Sequence, residues 1–173
     1  MRASKTFFTA LALATLLSTT VADATNDLAR ARAATAAFHD VDRFGPAGYG
    51  GPLEDLAGIT CITNPGVGVM GVHFVNGALV GDATLDVEKP EVLVYQPLPN
   101  GRLRLVAAEY VVFQGAWLQA GNTAAPTLFG QPLNFVPAGN RYGLPPFYEI
   151  HAWIWMNNPS GMFKDWNPSG SCA

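Results

Sequence analysis

The stretch RLRLVAAEYVVF, residues 102–113, is the longest strand that the sequence predicts. Its side chains alternate between two faces, and both faces are rich in apolar residues. Glu109 is the only acid in the stretch, and it shares its face with the apolar positions 103, 105, 107, 111 and 113. A buried carboxylate without a partner is costly, so we expect Glu109 to be neutral, paired or bound to a metal.

The stretch YEIHAWIW, residues 148–155, predicts a second strand with an unusual composition. Strict alternation places Glu149, His151, Trp153 and Trp155 on one face and apolar side chains on the other. A carboxylate, an imidazole and two indoles are a poor match for a simple solvated surface. This face is therefore a candidate for a polar site inside an apolar shell.

The rest of the chain predicts further short strands, at residues 59–62, 67–75 and 91–95, separated by Gly- and Pro-rich turns. Residues 25–44 are rich in alanine and carry apolar residues at three- and four-residue spacing, which predicts one amphipathic helix. Residues 114–147 are rich in Gly and Pro and predict a long ordered loop. The predicted fold is mainly β, a small barrel or sandwich that is cupin-like or lipocalin-like in general architecture.

The N-terminus predicts a secretory signal peptide over residues 1–24. Arg2 and Lys5 form a positive region, residues 7–17 an apolar core, and a small-x-small motif follows. This apolar run is shorter than a membrane span requires. Residues 25–173 are then a single β-rich domain that is secreted or periplasmic.

Charge and cysteine content narrow the classes of partner. The formal net charge is −3, and no basic patch suited to nucleic acid or to an anionic membrane is present in the sequence. The expected partner is a small-molecule ligand or substrate, and the sequence does not indicate an oligomeric state. Cys61 and Cys172 predict a disulfide in an exported chain, with metal thiolates or a catalytic thiol as the alternatives.

His73, Glu109 and His151 lie in three predicted strands, each among apolar neighbours. Two imidazoles and one carboxylate are the ligand set of many Zn, Fe, Mn and Cu sites. These three residues are therefore the predicted ligands of a divalent transition metal. Glu149 is the candidate catalytic residue, either as an acid or base or as a support behind the metal ligands.

Three alternatives to a metal site stay open. A metal-free site would use Glu109 and Glu149 as an acid and base pair, and a purely structural network would pair Glu109 with a histidine or an arginine. A ligand carrier would use an apolar or stacking surface of aromatic side chains, for which the candidates are Trp153, Trp155, Phe74 and Trp117.

The predicted function is a secreted metal-binding β-barrel protein. The sequence leaves open whether it is a metalloenzyme that acts on a small organic substrate. The alternative function is a metal-free carrier of an apolar or aromatic small molecule.

Three segments carry a resemblance to a known family. They are VHFVN at residues 72–76, PEVLVY at residues 90–95, and YEIHAWIWMNNPSGMF at residues 148–163 with the tail to Cys172. They resemble a family of secreted bacterial proteins of uncharacterised function. The resemblance implies export and a single compact domain, and it implies no catalytic residue.

Overall fold

A six-stranded antiparallel sheet curls into a half-barrel in the computed structural model, which describes residues 23–172. The strand order is β1-β2-β3-β4-β8-β7, and β5 and β6 form a separate hairpin. The strands are β1 Cys61–Asn64, β2 Gly68–Val75, β3 Val92–Pro97, β4 Leu103–Phe113, β5 Thr127–Leu128, β6 Gln131–Pro132, β7 Asn134–Val136 and β8 Phe147–Ala152. The prediction of a mainly β fold is confirmed.

The N-terminal helix α1 is described over residues 23–35 and continues into two 3-10 turns, Ala36–His39 and Val41–Arg43. The predicted amphipathic helix over residues 25–44 is therefore present, but it is α-helical only as far as residue 35. Its apolar residues pack on one face of the sheet, where Ala31 is fully buried against the strand residues Tyr110 and Ile150.

The central strand β4 is buried on both faces, as its apolar sequence predicts. On the side of α1 the core includes Phe74, Leu93, Tyr95, Ala108 and Tyr110. On the opposite side a second core contains Val92, Val94, Ala107, Val111, Phe147 and Trp153. This second face, away from α1, carries the candidate site and is called the site face below.

A β-bulge at Val106 changes the predicted alternation along β4. Val94 of β3 pairs with Ala107, but the next residue, Tyr95, pairs with Leu105, so Val106 is the extra residue. One inserted residue moves every side chain beyond it to the other face. The prediction that Leu103 and Leu105 share a face with Glu109 is therefore wrong, and both leucines pack in the core on the α1 side.

Short elements complete the connections between the strands. Helix α2, Gly77–Val80, follows β2, and helix α3, Gln114–Gln119, follows β4. The Gly- and Pro-rich stretch at residues 114–147 contains α3, the β5-β6 hairpin and the edge strand β7. It is thus an ordered segment with short elements of its own.

The predicted disulfide is confirmed. Cys61 of β1 is bonded to Cys172, 111 residues later. Asn167 and Val69 also exchange backbone hydrogen bonds of 2.9 and 3.0 Å, so the C-terminal tail is held at the same edge of the sheet. A disulfide is consistent with an extracellular or periplasmic protein. Within residues 23–172 the structure contains no helix that is both long and apolar enough to cross a membrane.

The predicted signal peptide lies almost wholly outside the described residues, so it stays a prediction.

Candidate metal centre

Strand pairing brings the three predicted ligands together on the site face. Glu109 of β4 lies directly opposite His151 of β8. His73 of β2 is opposite Val94 of β3, one strand further along, and the curl of the sheet closes the remaining distance. All three side chains are buried, with relative exposures of 3% for His73, 5% for Glu109 and 0% for His151.

The ligating atoms of these residues form a triangle. The two Nε2 atoms of His73 and His151 are 3.3 Å apart. The Glu109 Oε2 atom lies 3.5 Å from the Nε2 of His73 and 3.9 Å from that of His151. Metal–ligand bonds of about 2.0 to 2.1 Å give tetrahedral ligand–ligand edges of about 3.3 Å. Two of the three edges agree closely with this value, and the third is slightly longer, so the buried group could hold a metal ion.

Burial keeps the metal-free residues uncharged. Burial lowers the pKa of His73 to about 4. Burial, and to a smaller extent the nearby His73 ring, also lowers the pKa of His151 well below its usual range. Burial raises the pKa of Glu109 well above normal, and the charge of Glu149 raises it further. Two neutral imidazoles are the forms that bind metals, whereas Glu109 must lose its proton to act as an ionised ligand.

Glu149 lies close to Glu109, and the interaction between the two carboxyl groups adds to the effect of burial on the pKa of Glu109. Glu149 is itself buried, and this burial raises its pKa. The two carboxyl groups therefore hold a proton between them. A cation beside Glu109 would favour its ionised form, and the shared proton would then reside on Glu149.

The second ring nitrogen of each imidazole, Nδ1, points away from the triangle and is poorly satisfied in hydrogen bonding. Among the described residues, neither Nδ1 of His73 nor Nδ1 of His151 has a hydrogen-bond partner. The backbone of Gly71 lies close enough to favour the protonated ring of His73, but it does not complete a hydrogen bond with Nδ1. The Asp165 carboxylate lies 4.0 Å from the Nδ1 of His151, and the Asn134 side chain donates to the same oxygen over 3.0 Å.

A cavity of about 310 Å³ opens beside the triangle. His73 and Glu109 contribute its polar wall together with Tyr142. The other lining residues are Leu53, Val75, Gly77, Val80, Gly81, Val92, Val111, Phe113, Leu144 and Phe147. Neither His151 nor Glu149 is part of this lining, so His73 and Glu109 are the candidate ligands that face open space.

The four aromatic side chains predicted to bind a ligand do not share one surface. Trp153 stacks on His151 at 6.2 Å between ring centroids and forms a wall of the site. Trp155 donates to Thr35 of α1, so the prediction that it shares the site face is wrong, because β8 ends at Ala152. Phe74 contacts Phe44 on the α1 side of the sheet.

The fourth aromatic, Trp117, lies in α3 and donates to the Ala124 carbonyl. None of the four lines the cavity. His39 is exposed and packs edge-on against Trp155, outside the group formed by His73 and His151.

Sequence reasoning did not identify Asp165 or Tyr142. Both lie in irregular segments, where neither a period of 2 nor a period of 3.6 assigns a side chain to a face. A carboxylate such as that of Asp165 is expected near a metal-bound imidazole. The sequence around Asp165 does not indicate, however, that the residue lies next to β8.

Comparison of the chain with protein-family models, with curated proteins and with solved structures finds no significant match to any of them. The resemblance to a secreted bacterial family therefore stays a prediction.

Proposed function

We propose that the protein binds one divalent transition-metal ion through the Nε2 atoms of His73 and His151 and a carboxylate oxygen of Glu109. The observation that carries this proposal is the convergence of three ligating atoms, 3.3 to 3.9 Å apart, on three buried side chains. Zinc, iron, manganese and copper all accept such a ligand set.

A structural hydrogen-bond network explains this geometry less well. Its contacts are longer than the usual 2.7 to 3.2 Å. A bound ion would attract all three ligating atoms at once, whereas the hydrogen bond between the two Nε2 atoms joins only the histidines. It would also fix the tautomer in which Nδ1 carries the hydrogen.

A metal-free carrier of an apolar molecule is supported by the cavity beside His73 and Glu109. It gives no reason for two histidines and a carboxylate to converge, so we favour the metal-binding function. When bound, the ion would supply a Lewis acid, and a ligand set of three residues leaves further coordination positions open. We also propose that the protein acts outside the cytosol, which its disulfide supports.

The test is elemental analysis of protein that was purified without a chelating tag and supplied with Zn, Fe, Mn and Cu. The wild type is expected to hold about one equivalent of one metal. His73→Ala and His151→Ala are each expected to hold less than about a tenth of an equivalent, because a pair of remaining ligands binds weakly. His39→Ala is the matched control and keeps the metal.

His73→Gln and His151→Gln retain most of the side-chain volume and keep the test informative if the alanine variants do not fold. Near-UV circular dichroism establishes which variants are folded. Wild-type protein with less than about a tenth of an equivalent, or a loss of metal from His39→Ala alone, would contradict the proposal.

A further inference from the structure

The cavity beside the candidate metal centre has a preformed wall. Arg141 forms an ion pair with Asp55 at 2.7 Å, and the Leu56 amide donates to the Arg141 carbonyl over 2.9 Å. These contacts anchor the loop that carries Tyr142 and Leu144 over the site face. The guanidinium of Arg141 is engaged by Asp55 and is not part of the cavity lining.

The size of the cavity limits the size of its occupant. An apolar cavity of about 150 Å³ in an engineered protein binds benzene. The cavity here has about 310 Å³, which is roughly twice that volume. A molecule about as large as two fused or linked aromatic rings therefore fits.

The chemistry of the wall limits the charge of the occupant. No lysine or arginine is among the lining residues of the described chain, so an anionic ligand finds no cationic side chain there. A cationic ligand would lose its hydration against walls that are mostly Val, Leu and Phe. An uncharged and largely apolar molecule avoids both penalties.

The polar part of the wall is confined to His73, Glu109 and Tyr142. The ring of Tyr142 lies 6.5 Å from that of His73. A tyrosine hydroxyl can donate a hydrogen bond to a ligand. The polar group of a ligand would meet this corner, next to two of the three proposed metal ligands.

We propose that the cavity is the ligand subsite of the metal centre and takes an uncharged, largely apolar molecule of about two rings with one nitrogen or oxygen donor. The apolar part lies among the Val, Leu and Phe side chains, and the donor reaches the ion. The contact of the donor with the ion rests on the proposed function, whereas the fit of the apolar part does not.

The experiment uses the full protein loaded with Co(II), whose visible absorption reports a change of ligand. The probes are 4-phenylimidazole and imidazole, which share a nitrogen donor and differ by an apolar ring, at a pH at which both are neutral. We expect 4-phenylimidazole to bind at least about tenfold more tightly than imidazole, because its second ring is removed from water in the cavity.

Leu53→Trp fills the cavity and is expected to remove this preference while the Co(II) content stays unchanged. Leu118→Trp is the matched control, because Leu118 is an exposed residue outside the lining, and it should keep the preference. Equal affinities for the two probes, or equal behaviour of the two variants, would overturn the subsite.

A second arm separates failure of the subsite from failure of the metal site. Naphthalene has no donor atom, and its binding to metal-free protein is followed by its fluorescence. If the protein takes up no Co(II) but binds naphthalene in a manner blocked by Leu53→Trp, the metal site and the donor contact are overturned and the apolar cavity is supported. If Co(II) binds and neither naphthalene nor the phenyl ring is recognised, the subsite is overturned and the metal site stands.

Discussion

His151 connects the two halves of the candidate site through its two ring nitrogens. Its Nε2 faces His73 and Glu109, and its Nδ1 faces the Asp165 carboxylate at 4.0 Å. A carboxylate behind a metal-bound imidazole fixes the tautomer and the ring orientation and makes the imidazole a stronger ligand. Asp165 is thus a positioning residue for the proposed ligand His151.

Asp165→Asn is expected to weaken metal binding by about 10- to 100-fold, because the amide no longer favours the Nδ1–H of His151 as a carboxylate does. The amide oxygen still accepts from Asn134, so the fold is retained. A competitive titration with a chromophoric chelator measures the affinity. Asp42→Asn, an exposed aspartate on the second 3-10 turn, is the control, and an equal effect of both substitutions would refute the role of Asp165.

Glu91 predicts a pH dependence of stability that does not involve the metal ligands. Its carboxyl accepts from the Val111 amide at 3.1 Å, and burial raises its pKa to about 8 from an ordinary value of 4.5. The folded state therefore favours the protonated form. The contribution of the protonated Glu91 carboxyl to the stability of the fold is complete below the pKa that Glu91 has in the unfolded chain. It is lost as the pH rises toward the folded-state pKa of about 8.

Glu91→Gln mimics the protonated carboxyl and should remove this loss. Between about pH 5 and about pH 8, the wild-type unfolding free energy should fall by up to about 4 kcal/mol relative to that of the variant. Urea unfolding at several pH values measures the difference, and Glu54→Gln, at an exposed position, should follow the wild type. Parallel curves for wild type and Glu91→Gln would show that Glu91 does not titrate in this way.

At the scale of the elements, the positions of the strands were easier to predict from the sequence than the face of the sheet on which each side chain lies. The apolar runs that became β2, β3, β4 and β8 were evident, because the alternation of buried side chains is a local property. The bulge at Val106 was not, since the surrounding valines and alanines carry no Gly or Pro to mark an inserted residue. The end of β8 at Ala152 was hidden in the same way by the aromatic run that follows it.

The strand order could not be predicted either, because pairing of distant strands depends on contacts across the whole chain. The residue types of the candidate site were therefore predictable, but their convergence was not. His73 and Glu109 belong to strands that are separated by β3, and only the curl of the sheet brings them within 3.5 Å.

Gly71 in β2 allows the close approach of β3 that supports this geometry. Its φ is 113°, and a Cβ atom there would lie 2.7 Å from the Tyr95 carbonyl oxygen. Gly71→Ala is expected to reduce the unfolding free energy by about 2 to 4 kcal/mol, through backbone strain and this steric conflict. Chemical denaturation measures the loss.

The control for this substitution is Gly115→Ala in α3, where nothing lies within 4 Å of an added Cβ atom. That change should be neutral or stabilise the protein by up to about 1 kcal/mol, because alanine is the better helix former. Equal unfolding midpoints for the two variants would contradict the steric argument at Gly71.

At the scale of the whole molecule, the two faces of the sheet differ in role. The face covered by α1 and the 3-10 turns holds two apolar clusters, whereas the site face brings together His73, Glu109 and His151, whose burial is costly unless they are neutral or paired. The C-terminal tail contacts both the edge of the sheet and the wall of the candidate site. Its Cys172 closes the sheet edge, and its Lys164 carbonyl accepts from the indole of Trp153 at 2.6 Å.

The disulfide should act on the stability of the entire fold. It closes a loop over a sequence separation of 111 residues, and the double change Cys61→Ser and Cys172→Ser is expected to lower the unfolding free energy by about 2 to 5 kcal/mol. Metal binding by the folded variant should persist, because β2, β4 and β8 carry the ligands. An unchanged unfolding midpoint would contradict the stabilising role of the disulfide. A folded variant without metal would contradict the prediction that metal binding does not need the disulfide.

Anomalous X-ray scattering from crystals grown with the metal found by elemental analysis tests the central claim most directly. We predict one buried peak at about 2.0 to 2.1 Å from the Nε2 atoms of His73 and His151 and at about 2.0 to 2.2 Å from a carboxylate oxygen of Glu109. The absence of a peak there, or a buried peak bound by Glu149, Asp165 and the Nδ1 of His151 instead, would contradict it.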